Sequence, residues 1–228
     1  MQAIGARTGT DKVTHHHYDF YYPRFVEGLR HKPAMKMLEI GFLFGQSYLM
    51  WKEYFPNGQV YFIDIAPGTT YPEARYTGDA GDRKVLEALL SEKQIKGDLD
   101  LIVDDGSHYP PHQLASFEYL FLEGLKPGGI YILEDIETSY WKRGECYGYY
   151  MKYGKDHPDS LMTRARAFVD VVNRKFSLPS APFRSAFGRE VDSWVSGVFY
   201  GLNNVIITKA TKDEYDVLNA AYQYPDNL

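Results

Sequence analysis

Short apolar runs alternate with amphipathic stretches through the middle of this chain, beginning at Lys36–Gly41 (KMLEIG). Gln59–Ile65 (QVYFIDI), Asp98–Asp104 (DLDLIVD) and Ile130–Leu133 repeat the apolar run and predict buried strands. Between them, Leu49, Trp51 and Tyr54 mark a helix over Gln46–Tyr54, and Asp82–Leu90 is an amphipathic helix opened by an acid. Phe117, Leu120 and Phe121 place another helix over Pro111–Leu122, and Lys126–Gly129 (KPGG) is a turn feeding the next strand. This alternation predicts an α/β fold with a doubly wound parallel sheet.

The ends of the chain read differently. Residues 1–15 are polar and rich in Gly and Thr, while Tyr18–Leu29 (YDFYYPRFVEGL) predicts an aromatic helix with Pro23 near its start. After Glu137 the alternation lapses. Trp141–Tyr153 is rich in Tyr and Gly, Ser160–Phe176 predicts a helix with Arg164, Arg166 and Arg174 on a solvated face, and Leu178–Phe187 carries Pro179 and Pro182. Strand character returns in Trp194–Leu202 and Asn204–Thr208, and Asn203-Asn204 suits the turn of an antiparallel hairpin. Neither irregular stretch is long enough for its own core, so residues 1–228 read as one domain. Residues 1–34 form its N-terminal helix and lid segment, and 142–190 a variable insertion over the substrate.

Charge and composition narrow the function. The 30 acids outnumber 25 bases, giving a net charge of −5 with no basic cluster, which argues against a nucleic-acid partner. No apolar stretch approaches the roughly 20 residues that span a bilayer, so no membrane role is expected. Cys146 is the only cysteine and the N-terminus lacks an apolar leader core, which together fit a reducing cytoplasm. Aromatic residues make up 16% of the chain, enough to ask whether some serve as substrate wall rather than core.

The chemistry gathers at the predicted strand ends, where α/β sheets bind ligands. In Leu38-Glu39-Ile40-Gly41-Phe42-Leu43-Phe44-Gly45, Gly41 lets the backbone approach a ligand and Gly45 permits tight strand-to-helix packing. Asp64 ends the next strand, where an acid accepts from ribose hydroxyls, and Gly78-Asp79-Ala80 is placed to face an adenine. One later strand ends Asp104-Asp105-Gly106-Ser107-His108 and the next ends Glu134-Asp135. If those strands are neighbours, four carboxylates converge and a divalent cation relieves their repulsion. An oxygen-only set favours Mg²⁺, with Mn²⁺ or Ca²⁺ also compatible. Side chains alternate along a strand, so one of Asp104 and Asp105 faces the metal and the other supports the backbone or cofactor. His108, on the turn beyond, is suited to accept a proton near neutral pH. His15-His16-His17 reads as a solvated or lid segment, with His17 beside Tyr18 the one to touch substrate, and His112 as a cap-region residue.

These motifs together resemble the Mg²⁺-dependent, S-adenosylmethionine-using O-methyltransferases of macrolide deoxysugars, the mycinamicin and macrocin (tylosin) type. The resemblance runs through Gly9-Thr10-Asp11-Lys12, LEIGFLFGQS, YFIDI, VDDGSH, HQLASFE, LKPGG and EDIETSYW, and so covers most of residues 9–141. It implies a class I methyltransferase fold, a seven-stranded sheet ending in an antiparallel hairpin. It implies that Asp105, Glu134 and Asp135 hold the metal and that His108 is the general base. Glu39, Gly41 and Gly45 match the cofactor loop, Asp64 the ribose-binding acid, Asp79 the acid near the adenine, and Asp104 the cofactor side of its strand. It also implies that Asp11 and Lys12 lie in a segment folded over the site, and it admits a homo-oligomer. The expected reaction is methyl transfer to one hydroxyl of a vicinal diol on a sugar attached to an apolar aglycone. A catechol-type acceptor, or a domain binding cofactor and metal without catalysis, uses the same residues. Tyr18, Phe20, Tyr21 and Tyr22 on one side and Tyr140, Trp141, Tyr147, Tyr149, Tyr150 and Tyr153 on the other flank the expected site, so the acceptor is expected to be bulky, partly apolar and hydroxylated.

Overall fold

The strongest apolar runs become the centre of the sheet. The computed structural model describes residues 1–152, 154–177 and 183–220. Its strands are β1 (Lys36–Ile40), β2 (Gln59–Asp64), β3 (Arg75–Thr77), β4 (Leu99–Asp104), β5 (Leu125–Glu134), β6 (Glu145–Cys146), β7 (Tyr149–Tyr150), β8 (Val195–Gly201) and β9 (Asn204–Lys209). The main sheet has seven strands in the order β3-β2-β1-β4-β5-β9-β8. β1 to β5 run parallel, and β9 is antiparallel to both β5 and β8, so the predicted hairpin closes the sheet. Asn203, at φ 59°, makes its turn. β4 and β5 are neighbours, with Asp104 opposite Leu133.

The helices are α1 (Gln2–Thr8), α2 (Asp11–Thr14), α3 (Pro23–Val26), α4 (Gln46–Tyr54), α5 (Arg83–Glu92), α6 (Pro110–Glu123), α7 (Leu161–Ala165), α8 (Phe168–Val172), α9 (Arg189–Trp194) and α10 (Lys212–Asn219). They cover both faces because the strand side chains alternate. Met37, Phe62, Leu101, Val103 and Ile132 pack with Trp51 and Tyr54 of α4 on one face. Leu38, Ile63, Ile102, Tyr131 and Leu133 pack with Leu89 of α5 and Phe117 of α6 on the other.

Four expectations change. Tyr18–Leu29 is not one helix: a 3₁₀ turn over Tyr18–Phe20 stops, and α3 starts afresh at Pro23. Proline lacks the N–H that would bond back into the preceding turn, so it begins a helix rather than continuing one. The Ser160–Phe176 helix is bent into α7, α8 and a 3₁₀ turn, which lets Leu161, Ala165, Phe168 and Val171 all reach the core. Arg174 is buried instead of solvated, donating to the carbonyl oxygens of Val171, Ser193 and Val195. The KPGG turn is looped out within β5, where pairing jumps from Leu99–Leu125 to Leu101–Ile130. Buried Lys209 of β9 donates to the Leu122 carbonyl at the end of α6 and to the Leu125 carbonyl at the start of β5, at 2.9 and 2.7 Å. No helix among the described residues is long and apolar enough to cross a membrane. Pro179, Pro182 and Tyr153 lie outside the described residues.

Candidate active site

A cavity of about 740 Å³ opens beyond the carboxyl ends of β1, β2, β4 and β5. On one side it is bounded by the turns after β1 and β2. Gly41 has φ 96°, and a Cβ there would collide with the Asp105 carbonyl oxygen, so only glycine fits. Asp64 Oδ2 accepts from the Phe42 and Leu43 amides at 2.8 and 3.3 Å, and its Oδ1 from the Ala66 amide at 2.7 Å. The acid thereby sets the shape of the glycine loop. Asp79 lines the same wall and accepts from the Gly81 amide at 2.8 Å. Gly45 lies behind the loop at φ 82°, where a Cβ would meet the Phe42 ring.

The other side carries the acids of β4 and β5. Asp105, His108 and Asp135 each offer a ligand atom, and those atoms all lie within 4.8 Å of one another. His108 Nε2 is 3.6 Å from Asp135 Oδ2 and 4.0 Å from Asp105 Oδ1. Asp135 and His108 both adopt φ near 51°, a left-handed backbone that turns consecutive loop residues toward one point. His108 is buried, and its Nδ1 has no hydrogen-bond partner among the described residues. The two carboxylates are hard oxygen donors suited to Mg²⁺ or Mn²⁺, and the imidazole stands beside them.

Glu134 sits one layer deeper. Its carboxylate accepts from Tyr22 Oη at 2.6 Å and from Lys12 Nζ at 2.7 Å, with the side chain 1% exposed. Asp105 Oδ2 also accepts from Lys12, at 2.6 Å. Asp135 Oδ1 accepts from Tyr18 Oη at 2.6 Å and Asn203 Nδ2 at 3.0 Å. Glu39 is wholly buried, accepting from Ser47 Oγ at 2.8 Å and Trp51 Nε1 at 3.1 Å, and lies 3.3 Å from Lys12. Asp104 is likewise buried and accepts from Ser116 and Tyr131, while still lining the cavity. Burial raises the carboxyl groups of Glu134, Asp135, Glu39 and Asp104 above the ordinary range, and Asp105 adds to the rise at the first three. Burial pulls the Lys12 ammonium down, but Asp105, Glu134 and Glu39 more than offset that and hold it well above a free lysine.

Some placements differ from the sequence reading. Tyr18 and Tyr22 are fully buried supports of the acids and not substrate wall. His16 is the histidine of its triplet that faces the cavity, with Nδ1 3.5 Å from Asp135, whereas His17 stacks on Phe20. His112 lines the cavity, 3.1 Å from Ser107 Oγ. Of the later aromatics, Tyr147 and Tyr149 line the cavity; Tyr147 lies 5.5 Å from the His108 ring and Tyr149 stacks on Tyr109. Gln113 was not singled out in the sequence, yet its amide donates to the Glu134 carbonyl at 2.9 Å and fixes the end of β5.

No profile of a known protein family matches the chain. Mycinamicin VI 2''-O-methyltransferase of Micromonospora griseorubida is 30% identical over 213 residues, 87% of this chain and 49% of its own length. The 8-demethyl-8-alpha-L-rhamnosyl tetracenomycin-C 2'-O-methyltransferase of Streptomyces olivaceus is 34% identical over 148 residues, 62% of this chain and 39% of its own length. The chain thus spans half or less of these curated relatives. MycE methyltransferase from the mycinamycin biosynthetic pathway, solved in complex with Mg and SAH, matches with a TM-score of 0.79 at 28% identity. That match covers 93% of this chain and 55% of the MycE chain. The chain is thus similar to about half or less of these O-methyltransferases and carries the class I methyltransferase fold.

Proposed function

We propose that this chain transfers a methyl group from S-adenosylmethionine to one hydroxyl of a vicinal diol, on a sugar of a glycosylated natural product such as a macrolide. The observation that carries the reading is that one cavity joins a nucleoside-type wall at Gly41, Asp64 and Asp79 to the cluster of Asp105, His108 and Asp135 opposite. The curated relatives are named as the 2'-O-methyltransferase of a rhamnosyl tetracenomycin and the 2''-O-methyltransferase of mycinamicin VI, and MycE was solved with Mg and SAH, which supports the same assignment.

In this reading Asp64 accepts from the ribose hydroxyls, Asp79 faces the adenine, and Gly41 admits the cofactor against bare backbone. Asp104 and Glu39 stiffen the strands beneath. Asp105 and Asp135 would hold Mg²⁺ or Mn²⁺, with Glu134, expected as a third ligand, behind them and both its oxygens taken by Tyr22 and Lys12. A divalent cation bound there supplies the positive charge that acidifies an alkyl hydroxyl. His108 takes the hydroxyl proton on the cavity side, with Asp135 and Asp105 beside it to balance the charge it gains. The sulfonium methyl is already activated, so the protein's remaining task is to align donor and acceptor and exclude water. Tyr147 and Tyr149, with Leu43 and Phe44 across the mouth, offer the apolar surface an aglycone needs.

The test is a methyl-transfer assay on three acceptors: a polyketide glycoside with a vicinal diol, its analogue lacking the neighbouring hydroxyl, and a catechol. Turnover is expected on the first alone, lost on chelation, and reduced on the order of 100-fold or more in His108→Ala. Chelator-resistant turnover, or full activity in His108→Ala, overturns the reading.

A further inference from the structure

The metal-binding reading leaves one cation unused. Lys12 is 1% exposed, and its ammonium has three donors for three carboxylates: Asp105 at 2.6 Å, Glu134 at 2.7 Å and Glu39 at 3.3 Å. Yet Lys12 does not line the cavity. It approaches from behind, carried by α2 and the buried Thr10. On Asp105 it engages Oδ2, while Oδ1 is the oxygen on the His108 side. On Glu134 it engages Oε2, while Tyr22 holds Oε1. Asp105 is thereby oriented from the rear, and Glu134 is held at both oxygens.

We infer that Lys12 is a positioning residue, a built-in counter-cation that keeps Glu39, Asp105 and Glu134 folded together before any metal ion arrives and turns Asp105 toward the cavity. The reason is charge. Three close carboxylates, two of them fully buried and Asp105 half-buried, repel one another without a cation and lose much of their hydration, and a lone buried charge that loses its partner is strongly destabilising. A metal ion relieves that strain only while bound. Lys12 relieves it permanently, so the empty site keeps its shape and the metal enters an arranged set of ligands. This goes beyond a segment folded over the site: the N-terminal stretch supplies part of the site's charge balance. The inference rests on the metal-binding reading above for its purpose, but not for its physics.

The experiment compares the wild-type chain, Lys12→Met, Glu39→Gln and the double variant by thermal melting in chelator and in MgCl₂, with calorimetric titration of Mg²⁺. Methionine keeps the buried stem and removes the charge. In chelator, Lys12→Met is expected to melt well below wild type. Glu39→Gln is expected to lower stability when Lys12 is present and to raise it when Lys12 is replaced, because it then removes an uncompensated charge. Mg²⁺ is expected to bind Lys12→Met on the order of tenfold more tightly, since a neighbouring positive charge has gone, and to raise its melting temperature by more than that of wild type. Should Lys12→Met fail to fold, the double variant is expected to fold and to respond to Mg²⁺. A Lys12→Met protein as stable as wild type in chelator, or a Glu39→Gln change with the same sign in both backgrounds, overturns the inference. Absence of any Mg²⁺ response in wild type instead defeats the metal-binding reading and leaves the chelator comparison to decide the role of Lys12.

Discussion

The two walls of the cavity are built by different means. The nucleoside wall is local: Asp64 reaches back to the Phe42 and Leu43 amides, and Asp79 bonds two residues along its own turn. Backbone shape does most of the work there, and short carboxylates hold it. The acidic wall is long-range. Lys12 meets Glu134 from 122 positions away, Tyr22 meets it from 112, and Tyr18 meets Asp135 from 117. Side chains dominate this wall, and nearly all of them are buried charges or hydroxyls. A local wall tolerates isolated peptide-level changes, whereas a buried charged network fails as a unit when one member goes.

Gly41 is where the walls touch, so it gives the largest expected effect. Gly41→Ala forces a Cβ into the Asp105 carbonyl at a positive φ, costing about 3 kcal/mol or more. Both S-adenosylhomocysteine binding and the Mg²⁺ response are expected to be lost in calorimetric titration. If only one is lost, the walls are more independent than their contact implies. Tyr22→Phe acts on the acidic wall alone. Removing the hydroxyl that bonds Glu134 should cost about 1–3 kcal/mol in urea unfolding, with S-adenosylhomocysteine affinity unchanged. Asp64→Asn is the converse. It exchanges one of the acceptors holding the loop for a donor, and about a tenfold loss of S-adenosylhomocysteine affinity is expected with the Mg²⁺ response intact. A change in Mg²⁺ binding from Asp64→Asn would erase the distinction between the walls.

The smallest effect on either wall is expected from a control remote from both. Burial lowers the Lys209 ammonium to about 8, against a raising pull from Glu123. In the unfolded chain the same group titrates near pH 10.4. Between those values the unfolded state binds the extra proton, so this group's contribution to stability rises with pH from about 8 to about 10. Melting temperatures of wild type and Lys209→Met across that window should diverge in favour of wild type, and neither ligand should alter the trend.

Legibility followed the same division. The strands β1, β2 and β4 and helices α4, α5 and α6 were readable because apolar spacing reports burial directly. The hairpin was readable from Asn203, whose left-handed backbone asparagine tolerates. β3 was not, since it is three residues long and only partly buried. α10 was also passed over, although Thr211 and Glu214 form a complete capping box, a signal the sequence does contain. At the site, Asp64, Asp79, Asp105, His108 and Asp135 stand out because they follow strands, and the cavity lies where strands end. The partners of those acids had no such signal. Lys12, Tyr18, Tyr22 and Gln113 look like ordinary lid, helix or surface residues until the chain folds.

Sequence alone determined that the fold would be α/β, with carboxylates and a histidine at strand ends, because hydrophobic period and strand-end position are local properties of the chain. Only the tertiary structure decided how those charges coexist. Whether a buried carboxylate is repelled, hydrogen-bonded or neutralised depends on groups within a few ångströms. Here those groups come from the first two dozen residues, brought against β4 and β5 by packing of Tyr22, Val26 and Trp51 on one face of the sheet. Proximity of that kind is set by the whole core at once and leaves no periodic trace in the sequence.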